Sequence, residues 1–179
     1  MPRQISLDKA FFLYSSNDFK DSKDLNDLID LRDFKAIITT KRLFTMPIQD
    51  PMHELRLKVR DYECDLQGIV NNANYQHYLE HARHEFLLEK GISFAEMHAH
   101  GIDAVVARIT MEFKVPLRSR DEFICRLTVK KENVRYVFLQ EIYRASDEKL
   151  CLKAKVESVC IQDGRLLTSC NELDEKLFA

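Results

Sequence analysis

The sequence predicts an α+β fold, one antiparallel sheet of five to six strands wrapped around one long helix. Three observations carry it. From Asn74 the apolar residues Tyr75, Tyr78, Leu79, Ala82 and Phe86 recur at helical spacing as far as Gly91. One alternating apolar/polar segment precedes this helix, and four or five more follow it, joined by short turns. A lone helix covers only one face of such a sheet, so the other face needs a partner.

Glu54 to Arg60 alternates Leu55, Leu57 and Val59 with Arg56, Lys58 and Arg60, the period of a half-buried strand. The helix follows, with Asn71, Asn72 and Asn74 competing to cap its start over about four turns and Gly91 placed for a left-handed close. Ser93 to His100 suits one or two further turns. Val105, Ala107, Ile109, Met111, Phe113 and Val115 alternate with Val106, Arg108, Thr110, Glu112 and Lys114 and read as one face of a strand that Pro116 ends. A turn at Arg118 to Asp121 leads to a strand through Phe123, Cys125, Leu127 and Val129. Val134 to Arg144 is apolar on both parities, as a central strand would be. Leu150 to Ile161 is a further strand, and Asp163-Gly164 signals a hairpin into a last strand, Leu166 to Cys170.

The 179 residues suit one domain, 51–179, with residues 1–50 an extension of unknown role. Asp18 to Asp33 recur every third residue with Leu25, Leu28, Ile29 and Leu31 between them, which fits a short amphipathic helix. The extension is read either as a solvated packing segment or as sequence upstream of a start at Met46 or Met52. In residues 1–46, eight Lys and Arg against seven Asp do not make a nucleic-acid footprint, and the acid content argues against a transit peptide. A net charge of −2 gives no general attraction to nucleic acid or anionic lipid. No apolar run reaches membrane-spanning length. Five cysteines without a C-x-x-C pair favour a reducing, cytoplasmic setting over a disulfide framework.

The chemistry centres on Asp65. It precedes a helix start whose free N–H groups can hold a developing oxyanion, while a nearby carboxylate can serve as base or nucleophile. Acyl transfer is the reaction class that needs both. The bland reading of Asp65 is a turn residue. Cys64 beside it is a weaker nucleophile candidate because no paired His is evident. His77, His81 and His84 share one helix face, but no added carboxylate or thiolate motif supports a metal, and a solvated row is expected. Glu80 and Arg83 read as salt-bridged helix residues.

The string Asp65, Gly68, Ile69, Val70, Asn71, Asn72, Ala73 and Tyr75, in the form D-x-x-G-[IV]-V-N-N-A-x-Y, resembles the hot-dog-fold acyl thioesterases of the 4-hydroxybenzoyl-CoA thioesterase type. With HARHEFLLEKGIS and PLRSRDEF, it looks most like the plant acyl-lipid thioesterases and their bacterial relatives, from roughly Glu54 to Thr168. The resemblance implies hydrolysis of an acyl-CoA or acyl-carrier-protein thioester without cofactor or metal, in a homodimer or dimer of dimers whose active site lies between subunits. It implies Asp65 as base or nucleophile, the Asn72 backbone N–H as carbonyl donor, and Gly68 as a point of close approach. Some relatives carry His where Asn72 stands, and Asn cannot change charge. Tyr62, Val70, Asn71 and Tyr75 are expected to line the acyl pocket, with Phe113, Phe138 and Met111 as tunnel or core. Arg118, Arg120 and Lys131, with Lys130 and Arg135, are expected to meet the phosphates of the carrier. A non-catalytic acyl-thioester-binding regulator is the alternative on the same fold. A hydratase would want a His-containing motif that the helix entry lacks.

Overall fold

A 3₁₀ turn, Asp61–Glu63, carries the chain from strand β1 (His53–Lys58) toward the long helix α1 (Asn72–Glu89) in the computed structural model, which describes residues 47–178. A short helix α2 (Phe94–Ala99) leads to β2 (Ile102–Phe113), β3 (Glu122–Glu132), β4 (Arg135–Arg144), β5 (Leu150–Gln162), the two-residue β6 (Arg165–Leu166) and a helix α3 (Asn171–Phe178). The expectations for Asp18 to Asp33 and the rest of residues 1–46 lie outside the described residues. All pairing is antiparallel, in the order β1-β3-β4-β5-β2 with β6 on β5. This is the sheet around a helix that the sequence predicts, a hot-dog arrangement.

Asn71 caps α1, its Oδ1 accepting from the Ala73 N–H at 3.0 Å, so the helix starts at Asn72 and runs 18 residues, about a turn longer than its apolar period suggests. At the other end Gly91 takes φ +68°. The Gly91 N–H donates to Leu88 O at 2.9 Å and the Ile92 N–H to Leu87 O at 2.8 Å, the paired bonds of a Schellman close. The buried stripe of Tyr75, Tyr78, Leu79, Ala82, Phe86 and Leu87 packs into the concave sheet. Its first half meets Phe123, Cys125, Ile142, Leu152 and Ala154, and its second half meets Leu127, Val129, Phe138, Val156 and Cys160.

β4 lies between β3 and β5, which accounts for apolar residues on both its parities. Asp163 (φ +50°) and Gly164 (φ +74°) are both left-handed, the two-residue turn their identities demand. The strand expected beyond it is shorter than predicted. Pairing stops at Leu166, and the chain turns into α3, whose buried Leu173 and Leu177 stand one helical turn apart with Glu172 and Asp174 in its first turn.

β2 departs from its sequence reading in a consequential way. Val106 pairs with Ser158 and Arg108 with Glu157, so Ala107 is an extra, bulged residue and the inward face changes parity there. Before the bulge Ala104 and Val106 stand opposite Cys160 and Ser158. After it Ile109, Met111 and Phe113 stand opposite the buried Val156, Ala154 and Leu152. Because directly opposed residues share a face, Ile102, Ala104, Val106, Ile109, Met111 and Phe113 make one apolar row on the side of α1. The strand is a sheet edge, and Val106, Ile109 and Phe113 remain 47, 38 and 51 % exposed.

Phe86 is fully buried where α1 meets the second cluster. Phe86→Ala is expected to lower unfolding free energy by about 3–5 kcal/mol. Urea titration would register this as a lower midpoint with an unchanged slope.

Candidate active site

A bridge between Cys64 and Val70 closes the loop that carries Asp65. Inside it the Asp65 N–H donates to Ile69 O at 2.9 Å and the Gly68 N–H to Asp65 O at 3.0 Å. The Asp65 Oδ1 accepts from the Gln67 N–H at 2.9 Å and, at 3.5 Å, from the Ile69 N–H. The Gln67 side-chain amide, oriented to donate, also reaches Oδ1 at 2.9 Å and Oδ2 at 3.2 Å. The turn geometry of the bland reading is therefore real, and it fixes the carboxylate. Gly68 stands at φ +70°, while the nearest atom to a Cβ placed on it, Arg118 Nη1, is 4.0 Å away. Positive φ, rather than the close approach expected there, is what requires glycine.

Glu63 ties this loop to the helix. Its carbonyl accepts from the Asn71 N–H at 2.9 Å and from Asn74 Nδ2 at 2.7 Å. Its carboxylate, 6 % exposed, accepts from the Tyr78 hydroxyl at 2.7 Å and the Arg60 N–H at 2.6 Å. Burial and the adjoining Glu63 together push the Tyr78 phenol far up, so it stays a donor. On the other flank the Val70 N–H donates to Leu117 O at 2.9 Å, and the Leu117 N–H donates to the Tyr75 hydroxyl at 3.0 Å. The β2–β3 connection is thus pinned to the helix start.

Asp65, Val70, Asn72 and Tyr75 line one cavity of about 350 Å³, closed by Phe113, Val115 and Pro116. Phe113 stands edge-on to Tyr75 at 5.5 Å. No acceptor among the described residues takes the Asn72 N–H, the first of α1. Asp65 and Asn72, the first residue of α1, therefore line the same apolar space, and a carboxylate beside a helix-start donor is the pairing acyl transfer needs. Cys64 is half-buried, and burial pushes its thiol up, which keeps it protonated at neutral pH.

Other expected residues are distributed differently. Asn71 caps the helix. Tyr62 is 77 % exposed and faces a neighbouring open groove of about 830 Å³ with Arg56, Lys58, Arg60 and Arg120. Arg118 stands beside Gly68, and its N–H donates to Asp121 Oδ2 at 2.8 Å. Arg120, at φ +68°, approaches Asp61 at 3.9 Å. Lys131 is held by Asp174 on α3, at the far end of the sheet face, and the structure does not bring it to Asp65. Phe138 belongs to the second core cluster and Met111 to the edge of the first. His77, His81 and His84 are exposed. Arg83 is not the salt-bridged helix residue expected: it is 7 % exposed and its Nη1 donates to Gln140 Oε1 at 2.9 Å, because its position on the helix turns it toward the sheet.

Three contributors escaped the sequence reading. Gln67 and Glu63 act through bonds to turn backbone that no periodicity reports, and Cys151 reaches the cavity only through the β2–β5 pairing.

A family model, the thioesterase-like superfamily, matches residues 59–176. The acyl-acyl carrier protein thioesterase ATL3 of Arabidopsis thaliana, a chloroplastic protein, is 38% identical over 104 residues, 58% of this chain and 55% of the relative. This chain thus spans little more than half the length of that plant protein. The long-chain acyl-CoA thioesterase FadM of Escherichia coli is 32% identical over 127 residues, 69% of this chain and 96% of the relative. The crystal structure of an Aquifex aeolicus protein superposes with a TM-score of 0.65 at 29% identity, covering 70% of this chain and 98% of the other. The chain belongs to the thioesterase-like superfamily, with its hot-dog fold.

Proposed function

We propose that this protein hydrolyses acyl thioesters of coenzyme A or acyl carrier protein, with Asp65 as the catalytic carboxylate. The observation that supports this most directly is the shared cavity of Asp65 and the unpaired Asn72 N–H. As general base, Asp65 takes a proton from water while the oxygen forms a bond to the thioester carbon. The carbonyl electrons move onto oxygen, where the Asn72 N–H meets them, a donor worth roughly 3 to 4 kcal/mol in the transition state. Collapse of that intermediate breaks the C–S bond, and the thiolate leaves with the proton. As nucleophile, Asp65 would instead form a mixed anhydride that water opens. Label found in the Asp65 carboxylate after single-turnover hydrolysis in heavy-oxygen water would identify the second route, with water opening the anhydride at the Asp65 carbon.

The carrier is proposed to approach over Arg118 and the groove of Arg56, Lys58, Arg60 and Arg120, where partly paired guanidinium groups can meet phosphate. Homodimerisation is proposed through β2, an apolar edge with an unpaired outer ladder, the kind of edge that soluble proteins cover. Among the described residues no helix is long and apolar enough to cross a membrane.

Thiol release from a panel of aliphatic and aromatic acyl-CoA and acyl-carrier-protein substrates tests the reading. Asp65→Asn is expected to lower kcat about 10²-fold or more with the fold unchanged. Turnover unaffected by that substitution would remove Asp65 from the mechanism, and binding without turnover by the natural chain would favour a regulator. Because the Cys64 thiol is raised, its reactive thiolate appears only as pH climbs into the alkaline range. Activity at neutral pH is therefore expected to survive treatment with iodoacetamide, and inactivation matching Cys64 labelling would contradict the assignment. Sedimentation equilibrium is expected to give twice the chain mass, with Val105→Glu on the exposed edge weakening association.

A further inference from the structure

A second cavity, of about 260 Å³, lies between the C-terminal half of α1 and the first half of β2. Its walls include Leu87, Phe94, Ile102, Val106 and Phe138, and the buried Arg83 lines it with Ser158. A guanidinium has five N–H donors. Among the described residues Arg83 makes one hydrogen bond, to the neutral Gln140, and Glu80, one turn before it on α1, acts on it electrostatically. The Gln140 amide is fully engaged in turn, its Nε2 donating to Leu79 O at 2.9 Å. None of the Arg83 nitrogens is both sealed from solvent and unpartnered, so its remaining donors open on the cavity, where an acceptor can meet them. Burial pulls the Arg83 pKa down from its usual value, with Glu80 opposing, yet an arginine stays protonated.

The two cavities face the same seam. Asn72 and Tyr75 line the first and Glu80, Arg83 and Leu87 the second, along one helix. Across from them the bulge at Ala107 keeps Phe113, Met111, Ile109, Val106, Ala104 and Ile102 in one apolar row, so this row spans both cavities. From Asn72 to Arg83 the helix rises about 16 Å, the reach of a medium to long acyl chain.

Resting on the thioesterase reading above, we propose that Arg83 is a specificity-determining residue that hydrogen-bonds a hydroxyl or oxo oxygen carried far from the thioester on an acyl chain lying along the α1–β2 seam. The other charged groups of the cavity narrow the choice of oxygen. Glu80 and Asp103 line it, Asp103 being bonded to His98 at 2.7 Å, and His84 stands at its rim against Phe94. Two carboxylates disfavour a chain ending in a third. A neutral acceptor satisfies the guanidinium without that repulsion. The apolar walls hold the methylenes leading to it.

The test compares dodecanoyl, ω-hydroxydodecanoyl, β-hydroxydodecanoyl and ω-carboxyundecanoyl thioesters on the natural protein and Arg83→Met, with calorimetric binding of the corresponding free acids to the same proteins. Met keeps the stem volume and removes the donors. Because Gln140 then loses its donor, Arg83→Met with Gln140→Leu serves as a second variant in which neither partner is left unpaired. The natural protein is expected to prefer the ω-hydroxy chain over the plain one by roughly tenfold or more in kcat/KM, through KM, and to disfavour the ω-carboxy chain. Both variants should lose that preference while turning over the plain chain as before. A preference unchanged in the folded variants, or one confined to the β-hydroxy chain, overturns the proposal. Absence of turnover on every thioester would count against the thioesterase reading alone. The free-acid binding ratios would still decide the role of Arg83.

Discussion

The grip of Glu63 on the start of α1 is the constraint on which the site depends. Its carbonyl takes the Asn71 N–H and the Asn74 amide, and its buried carboxylate takes the Tyr78 hydroxyl a turn further along the helix. The two bonds to the carbonyl contribute about 0.5–1.5 kcal/mol each, and the one to the carboxylate about 1.5–3 kcal/mol. Their larger effect is geometric. Without them the Cys64–Val70 loop would be tied to the helix only at its far end, through Val70, Leu117 and the Tyr75 hydroxyl, and the Asp65 side of the loop would lose its hold on the Asn72 N–H. Preorganisation of that pair is what electrostatic catalysis needs, since donors that must reorganise during the reaction contribute little.

The bulge at Ala107 plays the corresponding part on the opposite wall. A strand as long as β2 with strict alternation would turn one half of its apolar residues away from α1. One extra residue corrects the parity and keeps the wall apolar from Phe113 to Ile102. The same strand is a sheet edge, so the wall of the seam and the surface proposed for dimerisation are two sides of one element.

Much of this was legible in the chain. Period-3.6 spacing over Tyr75 to Phe86, the Gly91 close, the double-sided apolar pattern of Val134 to Arg144 and the Asp163-Gly164 turn each reflect local rules that the tertiary structure does not override. The motif around Asp65 spans the loop and helix start that line the candidate cavity. What escaped depended on partners distant in sequence. The β2 bulge is defined only by its register against β5, and Arg83 is buried only because Gln140, 57 residues away, waits beneath it. Lys131 looked like a free turn charge because its partner Asp174 sits on a helix the alternation after Leu166 concealed.

The most direct measurement of the central claim is a kinetic double-mutant cycle between Tyr78→Phe and Asp65→Asn, read in kcat/KM on the best thioester. If Glu63 and Tyr78 act by holding the Asp65 loop against the helix start, Tyr78→Phe should slow the natural protein and leave Asp65→Asn no slower than it already is. Effects that simply multiply in the double variant would contradict this account, because they would mean that the grip of Glu63 and the carboxylate of Asp65 work independently.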